Sequence, residues 1–165
     1  MSVMSEVVSH QLHAMSQPEA FDKSIGLLEA RAAEEAIKRF VLDHCDLGAG
    51  AASVILISCS ARVPPMTVVR KGDVVLLRSV DGINFVAGQI WLLLSIDASF
   101  DFALVSLWQL KSTNEPSRPT WRMEDAPASA SLCDILCPAI WSESSPSEAS
   151  TLIPIQFRGS APVAL

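Results

Sequence analysis

The sequence contains no tyrosine and only 18% charged residues. No stretch approaches the ~18 consecutive apolar residues of a membrane helix; the longest apolar runs, around 51–57 and 90–94, are strand-sized, so no membrane span is expected. Basic residues are scarce too: twelve Lys and Arg against eighteen Asp and Glu give a net charge of −6. That is the wrong sign for a protein whose affinity comes from neutralising phosphates, so nucleic acid is not the expected partner. Residues 1–9 lack a basic n-region and a long apolar h-region, and no base precedes Lys23. Neither a secretory nor an organellar leader is expected, which places the chain inside the cell, cytoplasmic or nuclear, with Cys45, Cys59, Cys133 and Cys137 as reduced thiols. There is no phosphate-binding loop, no dinucleotide fingerprint around Gly48-Ala49-Gly50, no G-x-S-x-G and no recognisable Ser/His/Asp grouping. No enzyme activity and no cofactor are expected.

Half of the 165 residues are hydrophobic, enough for the core of one domain. Ser16-Gln17-Pro18-Glu19 has the form of a capping box, and Phe21, Ile25, Leu28, Ala32, Ala36, Phe40 and His44 follow at spacings of three or four. The periodicity predicts an amphipathic helix from about 18 to 45, with Phe21, Ile25, Leu28 and Phe40 on its packing stripe. Glu34/Lys38 and Glu35/Arg39 would be i,i+4 pairs on its wet side, His44 would sit at the C-terminal dipole, and Gly48 would stop it. Residues 1–48 hold eight acids and four bases, so the acidity is concentrated in this arm.

Residues 49–69 read as a connector with one short strand at 54–57, ended by Pro64-Pro65. After it come candidate strands at 74–78, 85–96 and 102–110, with Asp81-Gly82 as one turn: a meander, since short turns join only antiparallel strands. In the long strand, Val86, Gly88, Ile90, Leu92, Leu94 and Ile96 share one face by the period of two, and Phe85, Ala87, Trp91 and Leu93 the other. Further candidates are 121–123, 135–141 with Pro138 at an edge, and 151–157. Residues 111–119 read as a loop, 142–150 as a Ser/Glu linker and 158–165 as a tail.

Lys71-Gly72-Asp73-Val74-Val75-Leu76-Leu77, Gly88-Gln89-Ile90-Trp91 and the later Ala126-Pro127 with Cys133-Asp134-Ile135-Leu136 resemble segments of SH3-like small barrels. Among these they are most similar to the bromo-adjacent homology modules of chromatin proteins. The resemblance covers residues 70–141. It implies an α+β chain in which the N-terminal amphipathic helix is followed by a mostly antiparallel SH3-like barrel over 70–157. It also implies a non-catalytic protein-interaction module, a chromatin-associated or nuclear adaptor with a protein or peptide partner. The alternative is a mobile-element-derived or assembly subunit that uses barrel and helix for homo-oligomerisation.

Several constellations bear on that choice. A sheet closed around the even-numbered face would leave Trp91 and Leu93 pointing outward, and with Phe85 and Trp108 they form the candidate interaction surface, covered by the helix or by a partner. Trp91, Trp108, Trp121 and Trp141 with Phe85, Phe100 and Phe102 could frame a methyl-lysine cage, although aromatics at strand spacing more often pack in a core. Cys133-x-x-x-Cys137 is a loose pair for zinc, and His10-x-x-His13 suits an exposed surface better than a metal. Arg62, Arg70, Lys71 and Arg78 form a basic cluster flanking the first barrel strand, where charge blunts a sheet edge.

Overall fold

A computed structural model describes residues 25–44, 54–80, 84–97 and 100–157. In chain order it contains β1 (Gly26–Leu28), β2 (Arg31–Ala32), α1 (Glu35–His44), β3 (Ile55–Ser58), β4 (Ser60–Val63), β5 (Thr67–Arg70) and β6 (Val74–Arg78). There follow β7 (Phe85–Ile96), β8 (Phe100–Leu107), β9 (Gln109–Ser112), β10 (Thr120–Arg122), β11 (Pro127–Ser131), β12 (Ile135–Pro138), β13 (Ile140–Ser145) and β14 (Glu148–Leu152). Two single turns of 3-10 helix, Leu132–Asp134 and Ile155–Phe157, complete the list.

The expected long N-terminal helix is not present. Of residues 18–45, those before 25 lie outside the described chain, as do the capping box, the two N-terminal histidines, Phe21, Cys45 and Gly48. Ile25 and Leu28 belong to an extended segment: Gly26 (φ 151°) and Glu29 (φ 50°) take backbone angles no helix admits. Gly26, Leu27 and Leu28 pair with Arg62, Ala61 and Ser60, and the Leu27 N–H donates to Asp101 Oδ2 at 3.2 Å. Among the described residues ten, Glu35–His44, are α-helical, and of them Val41 is fully buried. Phe40, expected on the packing stripe, is instead exposed and stacks on His44 at 4.1 Å, while His44 Nδ1 lies 2.8 Å from the Phe40 carbonyl oxygen. The expected stripe runs through Leu28 and Ala32, whose backbones pair with Ser60 of β4 and Leu56 of β3.

Among the described residues there is no closed barrel either. All the pairings are antiparallel, but they form three sheets with open edges: β1-β4-β5, β11-β8-β7-β3-β2 with β6 and β12 attached to it, and β13-β14-β10-β9. The short strand expected at 54–57 is β3, and the rest of the expected connector carries β4 and most of β5. The 142–150 stretch, read as a linker, is the β13–β14 hairpin.

The twelve-residue β7 organises the core. One of its edges is shared by β6, against Phe85–Gln89, and β3, against Leu93–Ile96; the other is taken by β8. One face packs on the three-stranded sheet: Val75, Leu77, Val86, Ile90, Leu93, Ala103 and Val105 meet Ala61, Val63 and Val69. The opposite face is divided. Toward one end Val74, Leu76, Phe85 and Ala87 are covered by Trp108, Trp121, Ala149 and Ile153 of the four-stranded sheet and its flanks. Toward the other, Ile55, Ile57, Leu94, Ile96, Phe102 and Leu104 are covered by Ala33 and Val41 around α1. Apolar side chains alternating to both sides, both sides buried, explain why β6 and most of β7 read as hydrophobic rather than alternating apolar and polar.

The face assignment in β7 changes at Trp91. Ile90 pairs with Val105 and Leu92 with Leu104, so two residues, Trp91 and Leu92, stand opposite one. This β-bulge reverses the parity. Leu93 therefore joins Ile90 and Val86, whereas Leu92, Leu94 and Ile96 turn to the α1 side. The expected single even-numbered core face holds only as far as Ile90.

Candidate interaction surface

The residues expected at the surface are mostly inside. Phe85 and Leu93 are completely buried and Trp108 nearly so. Trp91 is half-buried and packs, with Leu92 and Ile37, against the cluster under α1. The premise that placed them outward was a sheet closed on one face, and an open sheet covered on both faces removes it. The aromatic rings do not converge on a cage. Trp108, Trp121 and Phe85 sit beneath the four-stranded sheet, with Phe85 and Trp121 centroids 6.5 Å apart, whereas Phe102 lies in the cluster under α1.

The groups capable of chemistry are dispersed. Among the described residues no three of His, Cys, Asp and Glu gather to hold a metal ion. Cys133 is exposed at the 3-10 turn that Ser131 caps through its hydroxyl, while Cys137 is half-buried in β12 with its thiol pushed up by burial. Burial also raises the Asp134 carboxyl, partly offset by the charge of Arg78.

Of the exposed large apolar side chains, Ile140, Trp141 and Leu152 gather at one sheet edge, whereas Phe40, Leu42, Val54, Met66 and Val80 lie in other segments. Pro138 has no N–H to continue the β12–β6 ladder, and after a last bond from Ala139 N–H to the Val74 carbonyl (2.8 Å) the chain crosses to the four-stranded sheet. There β13 is the terminal strand, paired with β14 on one edge only among the described residues. Ile140 (73% exposed) stands opposite Leu152 (45% exposed) on the outer face. Trp141, opposite the buried Thr151, turns inward with its ring edge-on to Trp108 at 5.8 Å, yet keeps 39% of its surface exposed. The inner side is rigid, because Trp121 Nε1 donates to Thr151 Oγ1 at 2.8 Å within the core.

The rest of the outer face is polar. Ser142, Ser150, Thr120 and Ser112 are successive cross-strand neighbours, and Lys111 pairs with Glu148 nearby. No charge occurs in β13 before Glu143, so the usual protection of an exposed edge by Lys or Pro is missing from Ile140 to Ser142. Sequence reasoning missed this edge because 135–141 was read as one strand ending at Trp141. The available signal was the alternation Ile140, Ser142 followed by the Thr151-Leu152 pair.

No protein-family model, no curated protein and no solved structure matches the chain. No helix among the described residues is long and apolar enough to cross a membrane.

Proposed function

We propose that the chain is a non-catalytic protein-interaction module that takes an extended segment of a partner protein along the free edge of β13. The observation that carries this reading is the edge: Ile140, Trp141 and Leu152 exposed together beside a row of backbone groups that no other described strand pairs. Strand addition draws affinity from main-chain hydrogen bonds and specificity from alternate side chains, and both are on offer here. A chromatin role is not carried forward, because it rested on a barrel the fold lacks.

The test is selection of short peptides from a display library on the full chain. Peptides with alternating apolar residues should enrich on the native protein and be lost on the Ile140→Asp/Leu152→Asp double variant, whose side chains are exposed and leave the core untouched. No enrichment, or equal binding to both proteins, overturns the reading.

One observation favours self-association as the second reading. Between Pro138 and the bulge at Glu143/Ser145 the regular edge of β13 is residues 140–143, centred between Trp141 and Ser142. Two copies could pair antiparallel about that centre with no prolines opposed. Sedimentation showing a mass that doubles with concentration, and no longer does so in the double variant, would establish it.

A further inference from the structure

The three-stranded sheet carries a second, differently charged surface. Its register aligns Gly26, Arg62 and Val68 in one row and Leu28, Ser60 and Arg70 in the next. The alternate residues Ala61, Val63 and Val69 point into the core, so Arg62 and Arg70 share the outer face. They are diagonal neighbours on adjacent strands, with Cα atoms ~7–8 Å apart by the ordinary geometry of such pairs. Leu28 and Val68 lie half-buried on the same face, and Lys71 follows Arg70 directly.

This face is out of balance with the rest of the chain. Residues 55–78 hold four bases, Arg62, Arg70, Lys71 and Arg78, against the single acid Asp73, in a protein of net charge −6. The acids around it are otherwise engaged or apart. Asp73 Oδ2 accepts the Arg70 backbone N–H at 2.8 Å, Asp101 Oδ2 accepts the Leu27 N–H beyond β1, and Glu29 is exposed without an ion pair. Among the described residues neither the Arg62 nor the Arg70 guanidinium has an ion-pair or hydrogen-bond partner.

We propose that this face binds an acidic peptide in extended conformation, with two carboxylates two residues apart seated on Arg62 and Arg70. Alternate residues of an extended chain are about 6.6–6.8 Å apart, close to the diagonal separation of the arginines, and a guanidinium fork suits a carboxylate. The side chain between the two carboxylates points away from the face, as alternation in an extended chain requires, so recognition rests on the two acidic residues. A nucleic-acid strand fits less well. The face has no aromatic ring for a base to stack on, and two or three cations on an acidic chain neutralise few phosphates.

The test is a fluorescence-anisotropy titration of the full chain with a labelled peptide of alternating Asp and Val. Saturable binding that weakens with salt is expected. It should fall about tenfold or more in Arg62→Glu/Arg70→Glu, hold within about twofold in Arg62→Lys/Arg70→Lys, and stay unchanged in Ile140→Asp, which separates this face from the β13 edge. If the charge-reversed chain melts early, Arg62→Gln/Arg70→Gln replaces it with the same expected direction. Four results would each overturn the proposal: no saturable binding, equal binding of the Asn-for-Asp peptide, unchanged affinity in the folded Glu or Gln double variant, or tighter binding of a single-stranded oligonucleotide through the same arginines.

Discussion

Upstream of Trp91, β7 sends Val86 and Ile90 toward the three-stranded sheet and Phe85 and Ala87 toward the four-stranded one; downstream, Leu93 takes the first role and Leu92, Leu94 and Ile96 turn to the α1 side. Both halves are mostly apolar and alternate with the same period. They differ because one residue stands outside the ladder between Ile90 and Leu92. A period-two reading is thus a local rule, valid between bulges, and a bulge decides which half of a long strand faces which layer.

The sharpest way to break this comparison is to delete one residue from the upstream half and, separately, the bulge residue itself. Removing Ala87 shifts Phe85 and Val86 against β6 and β8, so that each faces the wrong layer, and the chain should lose cooperative unfolding altogether. Removing Trp91 leaves Ile90 opposite Val105 and Leu92 opposite Leu104 as they already are, so the ladder closes over the gap. That protein should fold, losing the contacts of one half-buried ring, roughly 1–3 kcal/mol, less than the ~3–5 kcal/mol of emptying a full core site. Thermal melts of the two deletions decide it, and a folded Ala87 deletion would remove the argument from parity.

A smaller effect is expected at Gly88, in the upstream half. A Cβ there would lie 2.8 Å from the Ser106 carbonyl oxygen and 3.5 Å from Leu77 Cδ1. The close obstacle is backbone, which cannot swing aside, so β7 and β8 must separate locally. Gly88→Ala should cost about 1–3 kcal/mol, as overpacking usually does, read as a shift in the urea midpoint without a change in slope. An Ala variant as stable as the parent would show that the two strands do not approach this closely.

The elements legible in the sequence were those whose pattern is set by neighbours in the chain. The 74–78 and 85–96 strands coincide with β6 and β7, because continuous β-branched and aromatic runs of that length leave few alternatives. What was not legible depends on distant partners. Nothing local to Ile25 and Leu28 says that Ala61 and Ser60 will claim their backbone, and the helical spacing of those side chains was real but unused. Nor does Trp91 announce a bulge; its large side chain fits a regular strand equally well. The candidate site suffered most, because Leu93, Phe85 and Trp108 were placed outward by a closed-sheet assumption and not by their own chemistry.

The least effect, and the most specific, is expected where β6 ends beside the start of β7. Arg78 stands opposite Phe85, Ile135 opposite Leu77, and the Asp134 carboxyl beside them is raised above its ordinary value of 3.8 chiefly by burial, with the Arg78 charge pulling it partly back. The folded state therefore holds this proton more tightly than the unfolded chain does. The stability it contributes is complete below the unfolded value and is lost as pH rises through the folded one. Asp134→Asn is neutral throughout and escapes that loss, so its urea midpoint relative to the parent should move upward between pH values below and above the carboxylate range. Arg78→Gln should enlarge the parent's pH-dependent loss, since it removes the only charge favouring the ionised form. Titrations shared by both proteins cancel in the difference. A midpoint difference that stays flat with pH, or runs the other way, would mean that Asp134 is hydrated and that the corner between β6, β12 and the start of β7 is open to water.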